Sequence, residues 1–212
     1  MIPKIIHQIW LGDQGIRPEP LMHTWKDMNP EWEHKLWTEE NMPPLRNQAQ
    51  FDAMEELAGK ADILRYEILL NEGGFYIDAD AKCISPLDDF FLENECFCCW
   101  ENEETREGLM ANGYLGAVPN NKLITTIVET ISSMDPAAVA QLPELMAWQV
   151  TGPRLLTSVA NTTNYSLTIY PSHYFIPNHY SGSQYKGEEK IYGEQYYMST
   201  PPSGRSYEEF RS

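Results

Sequence analysis

Residues 60–80 constrain the fold more than any other stretch of the chain. Ala61, Leu64 and Ile68 recur at helical spacing, Gly73-Gly74 stops the helix, and Phe75-Tyr76-Ile77 reads as a short strand running into Asp78-Ala79-Asp80. A helix that passes through a glycine turn straight into an apolar strand is the repeating unit of an α/β layer. The same alternation begins upstream. Residues 4–10, rich in isoleucine and bounded by Pro3 and Gly12, predict a buried strand. Residues 18–28 place Leu21, Trp25 and Met28 on one helical face before Asn29-Pro30, and residues 32–37 predict a second strand. The expected architecture is α/β, with a mainly parallel central sheet flanked by helices.

Residues 38–50, polar and containing Pro43-Pro44, read as loop, and residues 51–57 as helix. Ser85-Pro86-Leu87-Asp88 is turn chemistry, with Asp88 placed to cap a brief helix through Leu92. Further on, 101–108 reads as a charged loop, 110–118 as a strand, 121–134 as a helix, 153–160 as a helix opened by proline, and 166–170 as a strand. Periodicity ends at Tyr180. The 212 residues are expected to form one domain, 1–212, with 180–212 as a loop-rich segment near the active site.

The 31 acidic and 15 basic residues leave a formal charge of −16, which opposes a phosphate backbone and argues against nucleic acid as a partner. Apolar runs stop at about five residues, so neither an integral membrane segment nor a secretory leader is expected, and a cytoplasmic setting follows. Cys83, Cys96, Cys98 and Cys99 lack zinc-site spacing. Cys96-Phe97-Cys98-Cys99-Trp100 reads instead as a buried strand, with the thiols reduced.

The chemistry concentrates around the aspartates. In an extended chain Tyr76, Asp78 and Asp80 share one face, which brings two carboxylates together at a strand's end. Each raises the other's pKa unless a cation intervenes, and hard oxygen ligands of this kind suit Mn²⁺ or Mg²⁺. One helical turn separates Asp62 from Arg65, so the two project from one side of their helix, opposite the Ala61, Leu64, Ile68 stripe. Arginine there offers a fork for phosphate or sugar oxygens.

Taken together, Ile2-Pro3-Lys4-Ile5-Ile6-His7-Gln8-Ile9-Trp10-Leu11-Gly12, the Asp62-Ile63-Leu64-Arg65-Tyr66 run and Gly73-Gly74-Phe75-Tyr76-Ile77-Asp78-Ala79-Asp80 resemble glycosyltransferase family 32. That D-x-D sugar-transferase group includes yeast initiating mannosyltransferases and is related to the clostridial glucosylating toxins. Trp25, Asn29-Pro30, Leu36-Trp37, Ala111-Asn112-Gly113 and Thr151-Gly152-Pro153 fall on further elements of the family pattern.

The resemblance implies a GT-A fold and metal-dependent, retaining transfer of a hexose from a UDP- or GDP-sugar to a glycan or other hydroxyl acceptor. Carried over by position, Trp10 would stack on the base, Asp62 and Arg65 would hold the donor sugar, and Tyr76 would lie by the ribose. Asp78 and Asp80 would hold metal and ribose, with Asn112 near the transferred sugar. Many relatives end in a histidine- and tryptophan-containing segment that this chain lacks. Ser199 or Gln195 could supply the missing metal ligand, and Arg205 could neutralise the diphosphate, whereas His173 and His179 are expected to be packed or exposed rather than ligands. Two other readings stay open at this level: a non-catalytic sugar-nucleotide or glycan-binding module, and a metal-dependent phosphoryl-transfer enzyme.

Overall fold

The computed structural model describes residues 1–143 and 146–198. In chain order the elements are β1 (Ile5–Ile9), α1 (Glu19–Met28), β2 (Glu33–Trp37), α2 (Gln48–Ala53), α3 (Leu57–Glu72), β3 (Gly74–Ile77), β4 (Ala81–Cys83), β5 (Cys96–Trp100), β6 (Met110–Ala117), α4 (Lys122–Ser132), α5 (Pro136–Val139), α6 (Ala147–Val150), α7 (Pro153–Ala160), β7 (Thr168–Tyr170) and β8 (Gly193–Gln195). The central sheet has the order β2-β1-β3-β6-β5-β7, and β4 pairs separately with β8. β1 runs parallel to β2 and β3, and β7 runs parallel to β5, while β6 is antiparallel to both of its neighbours. This is a mixed but mainly parallel α/β sheet, as the sequence predicts.

Strand alternation sorts the core into two layers. On one face Tyr76, Cys96, Cys98 and Leu115 pack against Ile63, Leu64, Ile127 and Leu156 of the helices. On the other, Phe75, Ile77, Phe97 and Cys99 meet Phe91 and Phe175 in an aromatic cluster. Cys98 and Cys99 face opposite layers and all four thiols are free and buried, so β5 is the apolar strand its sequence predicts. Among the described residues, no helix is long and apolar enough to cross a membrane.

Two anchors hold β3 and the chain that follows it. Gly73 and Gly74 adopt φ of 66° and 101°, and the turn they make is tied to the sheet through His7, whose Nε2 lies 2.8 Å from the Gly73 carbonyl. Trp37 Nε1 donates to His7 Nδ1 at 3.1 Å, which leaves Nε2 as the protonated nitrogen that donates to Gly73. Fully buried Trp25 donates from Nε1 to the Ala81 carbonyl at 2.9 Å, and the Asn29 side chain accepts from Leu87 N at 2.8 Å. The Trp25 and Asn29-Pro30 elements thus clamp the chain immediately after Asp80.

Four expectations need correction. Strand β3 stops at Ile77, and Asp78-Ala79-Asp80 forms a turn closed by Ala81 N on the Asp78 carbonyl at 3.1 Å, so the strand alternation does not itself carry Asp80 to the site. Helix α3 is buried on every side from Asp62 to Leu70, because it runs between the sheet and α4, and Ala61 lines the cleft beside Asp62 and Arg65 instead of facing away. Asp88 makes no side-chain cap, since its carboxylate accepts from Lys190 Nζ and Tyr192 Oη at 2.6 Å each. Residues 193–195, expected as loop, form β8.

Candidate active site

A cleft of about 760 Å³ opens where the carboxyl ends of β1 and β3 meet the start of α3, within the size range of small-molecule sites. Asp62, Arg65, Tyr76, Asp78, Asp80 and Asn112 all line it, as does Trp10 from the end of β1. The sheet and α3 bring together residues that lie up to 102 positions apart in the chain.

The floor is a polar network. Arg65 ion-pairs with Asp62 Oδ1 at 3.2 Å and Asp78 Oδ1 at 3.3 Å, and Nη1 donates to the Asn112 carbonyl at 2.7 Å. Asn112 Nδ2 donates to Asp62 Oδ1 at 2.8 Å, and Thr151 Oγ1 donates to Asp62 Oδ2 at 3.0 Å. The Tyr76 ring backs the guanidinium at 4.2 Å, and its hydroxyl donates to Asp78 Oδ1 at 2.9 Å. Arg65 therefore spends its fork on the protein, and Tyr76, 2% exposed, supports Arg65 and Asp78 from beneath. Burial pushes the Asp62 carboxyl up to about 6, against the opposing pull of Arg65, Asn112 and Thr151.

Asp80 is held differently. Gln195 Nε2 donates to its Oδ1 at 2.7 Å and Met198 N to its Oδ2 at 2.8 Å, while Tyr114 Oη fixes Gln195 by donating to Oε1 at 2.9 Å. Burial, then the charge of Asp78, pushes Asp80 up to about 6. The oxygen expected of Gln195 as a metal ligand is thus turned to Tyr114, and its amide nitrogen faces the carboxylate. Ser199 and Arg205 lie outside the described residues.

Asp78 leaves its Oδ2 without a hydrogen bond among the described residues, and that oxygen sits against Gly113, where a β-carbon would come within 2.3 Å of it. Only glycine leaves this room. A free carboxylate oxygen on Asp78 and a second carboxylate, whose ionisation Asp78 opposes, form a donor set that suits a hard divalent cation. No cluster of three His, Cys, Asp or Glu stands ready among the described residues, so water and substrate oxygens would complete the shell. His173 and His179 are packed, the first stacked on Tyr185 at 4.0 Å and the second 5% exposed. Trp10, 9% exposed, lines the cleft and donates from Nε1 to the Asp13 carbonyl at 3.0 Å.

Thr151 is the contact that sequence reasoning missed. The Thr151-Gly152-Pro153 signal marks the start of α7 but gives no hint that the hydroxyl reaches back 89 positions to Asp62. The Met198 amide on Asp80 escaped for the same reason, since a backbone donor carries no residue signature.

Known proteins resemble this chain in sequence and in fold. Residues 18–97 match the family described as a glycosyltransferase sugar-binding region containing a DXD motif. Inositol phosphoceramide mannosyltransferase 2 of Schizosaccharomyces pombe is 30% identical over 168 residues, which cover 72% of this chain and 44% of that protein. Inositol phosphoceramide mannosyltransferase 3 of the same yeast is 28% identical, covering 74% and 44%. The chain spans less than half the length of these relatives. Among solved structures, the PaToxG glycosyltransferase superposes with a TM-score of 0.59 at 17% identity, over 75% of this chain and 69% of that one. The catalytic domain of alpha-toxin from Clostridium novyi superposes with a TM-score of 0.56 at 10% identity, over 76% and 72%. Both share the fold. The chain thus carries the DXD sugar-binding region of glycosyltransferases and resembles family 32, with its motif aspartates on the cleft at the end of β3.

Proposed function

We propose that the chain is a retaining glycosyltransferase that moves a hexose from a UDP- or GDP-sugar to a hydroxyl acceptor, with Mn²⁺ or Mg²⁺ bound at Asp78 and Asp80. The observation that carries this reading is the pairing, in one cleft, of a polar floor around Asp62 with a carboxylate pair of which one oxygen, Asp78 Oδ2, stays open. Residues 1–212 act as one catalytic domain, and the cytoplasmic setting is part of the same reading. Both S. pombe relatives are mannosyltransferases by name, which makes mannose the first sugar to test.

Each side chain then has a task. Asp62 and Asn112 receive the hydroxyls of the transferred sugar, Asp62 through the second lone pair of Oδ2. Arg65 and Tyr76 position Asp62 and Asp78, so the carboxylates meet the donor without reorganising. Trp10 offers an apolar face at the end of β1 for the base. The cation, when bound, supplies positive charge to the diphosphate as the anomeric C–O bond breaks. Asp62 faces the positive charge that builds on the sugar ring.

The test is release of nucleoside diphosphate from a panel of UDP- and GDP-hexoses, with Mn²⁺, with Mg²⁺ and with chelator, and with the product's anomeric configuration read by NMR. Metal-dependent release that vanishes in Asp78→Asn is the expected result. Hydrolysis of simple phosphate esters would point instead to phosphoryl transfer, and binding without turnover of any donor to a non-catalytic module.

A further inference from the structure

The floor around Asp62 and the Asp78–Asp80 pair account for the donor, but another wall of the cleft takes no part in that chemistry. It is built by the 101–109 loop, α6 and Tyr180. Trp148, 40% exposed, turns a large apolar surface toward the cleft instead of the core. The Arg106 guanidinium stands 5.7 Å from the Trp148 ring centroid and 5.7 Å from that of Tyr180. Its Nε donates to Tyr180 Oη at 3.0 Å, so its hydrogen-bond partner among the described residues is a neutral phenol. Glu101 lines the same wall, its side chain 14% exposed and 3.5 Å from His179 Nε2.

This wall is built in advance of any ligand. Glu101 N donates to the Leu109 carbonyl and Arg106 N to the Asn102 carbonyl, each at 2.9 Å. Asn102 Oδ1 accepts from Thr105 N at 2.8 Å, and Glu103 accepts from Ser172 N at 2.9 Å, which pins the loop to the body of the protein. A partner docking here loses little to loop ordering. The wall also adjoins the floor, because a β-carbon on Gly152 would lie 2.8 Å from Trp148 Cα and 3.1 Å from Asp62 Oδ2.

An aromatic face beside a guanidinium fork and a carboxylate complements a pyranose ring. The ring's C–H face stacks on the indole, and its hydroxyl rim donates to Glu101 and accepts from Arg106. Charge selects among acceptors. Asp13, Glu56, Asp62, Asp78, Asp80 and Glu101 line the cleft against two guanidiniums, Arg65 and Arg106, and Arg65 is already paired. An acceptor carrying phosphate or carboxylate would be repelled, and a neutral one would not. We propose that Trp148, Arg106 and Glu101 form the acceptor subsite and that its ligand is a neutral pyranoside. The inference rests on the glycosyl-transfer reading for its meaning, but not for its measurement.

The experiment is ligand-detected NMR and titration of the full chain with neutral methyl glycopyranosides and with the corresponding sugar 6-phosphates, in the absence of donor. At least one neutral glycoside should bind. Its Kd should rise about tenfold or more in Trp148→Ala and in Arg106→Ala, and recover most of that loss in Trp148→Phe. The matching phosphate should bind more weakly than the neutral glycoside. The inference is overturned if no neutral glycoside binds the wild type, if both alanine variants bind as well as the wild type while remaining folded by circular dichroism, or if the sugar phosphates bind better. Donor cleavage is scored separately. Glycoside binding without donor cleavage removes the transferase reading and keeps the subsite, and donor cleavage without glycoside binding does the reverse.

Discussion

Asp62 and Asp80 are both buried, both line the cleft and both have carboxyls pushed up to about 6, but they are held by different parts of the molecule. Asp62 sits in a network whose members stand on α3, on β6 and at the α6–α7 junction, all packed into the main core. Asp80 is held by Gln195 and the Met198 amide, which belong to a three-residue strand and the segment after it. The first carboxylate is compensated by a fixed guanidinium. The second meets only neutral donors, and Asp78 adds to its burden. A site built this way keeps its floor rigid and leaves its unmet charge where a cation would arrive.

The largest expected effect follows from that contrast. Asp78→Asn or Asp80→Asn should lower metal-dependent donor cleavage by about 10²-fold or more, measured as nucleoside diphosphate release with Mn²⁺. Stability should respond less. An asparagine at 80 turns an NH₂ toward either Gln195 Nε2 or Met198 N and loses one hydrogen bond, worth about 1 kcal/mol, while relief of repulsion from Asp78 offsets part of this. A melting temperature that collapses in Asp80→Asn would place Asp80 in the structural network with Asp62 and erase the distinction between them.

The floor should behave in the opposite way. Arg65→Ala strands the buried Asp62 carboxylate and takes the partner from the partly exposed Asp78, and breaking a buried pair on one side costs about 3–5 kcal/mol in denaturant unfolding. Adding Asp62→Asn to that variant should recover part of the loss, because it removes one stranded charge. Additive losses in the double variant would show that the guanidinium is not what compensates Asp62.

How much of this is legible in the sequence depends on distance along the chain. Strands β1, β2 and β3 and helix α1 carry their own periodicity and their own stops, so the parallel half of the sheet and the position of Asp78 at its edge follow from residues 4–78 alone. Arg65 and Asp62 pair at one turn's spacing, which any helix imposes. By contrast, β4 and β8 are three residues each and pair across more than a hundred positions, too short to show alternation. Nothing in Gly193-Glu194-Gln195 says that it will find Ala81-Lys82-Cys83. Helix α3 was legible as a helix but not in its setting. A helix buried on all sides has no polar face for periodicity to reveal, so the sequence shows Asp62 and Arg65 on one side of a helix but not that the helix is enclosed between α4 and the sheet.

Acidity separates the regions next. The Asp62 carboxyl titrates near 6 in the fold against an ordinary value of 3.8, so the folded state binds its proton more tightly than the unfolded chain does. The stability this contributes is fully present below about pH 4 and is lost as pH rises through about 6, on the order of 2–3 kcal/mol. Asp80, pushed up to about 6 as well, adds a decline over the same window, so unfolding measured without metal between pH 4 and 7 should show both, and Asp62→Asn should remove the Asp62 share. An unchanged slope in the variant would mean that Arg65 keeps Asp62 ionised throughout and that burial does not govern it.

The smallest effect tests the contact that sequence reading missed. Thr151 donates one hydrogen bond to Asp62 Oδ2 from a side chain 1% exposed, and valine has nearly the same shape without the hydroxyl. Thr151→Val therefore removes a donor to a carboxylate while leaving the packing of α6 against α7 in place, at a cost of about 1–2 kcal/mol. The lost bond favoured the ionised form, so the Asp62 carboxyl should move further up, and the pH-dependent decline should extend above 6. If Asp62 holds the donor sugar, the valine variant should also raise the KM for donor, because a partly protonated carboxyl accepts fewer sugar hydroxyls, and lowering the pH should weaken donor binding in the wild type in the same direction. The equivalent loss at Asp80, Gln195→Ala, removes a donor that favours ionised Asp80, so it should extend the Asp80 share of the decline, and should do so in an Asp62→Asn background as well. A Gln195→Ala shift that disappears in the Asp62→Asn background would mean that the two carboxylates titrate as one unit, and that the division of the cleft into a rigid floor and an open metal edge is wrong.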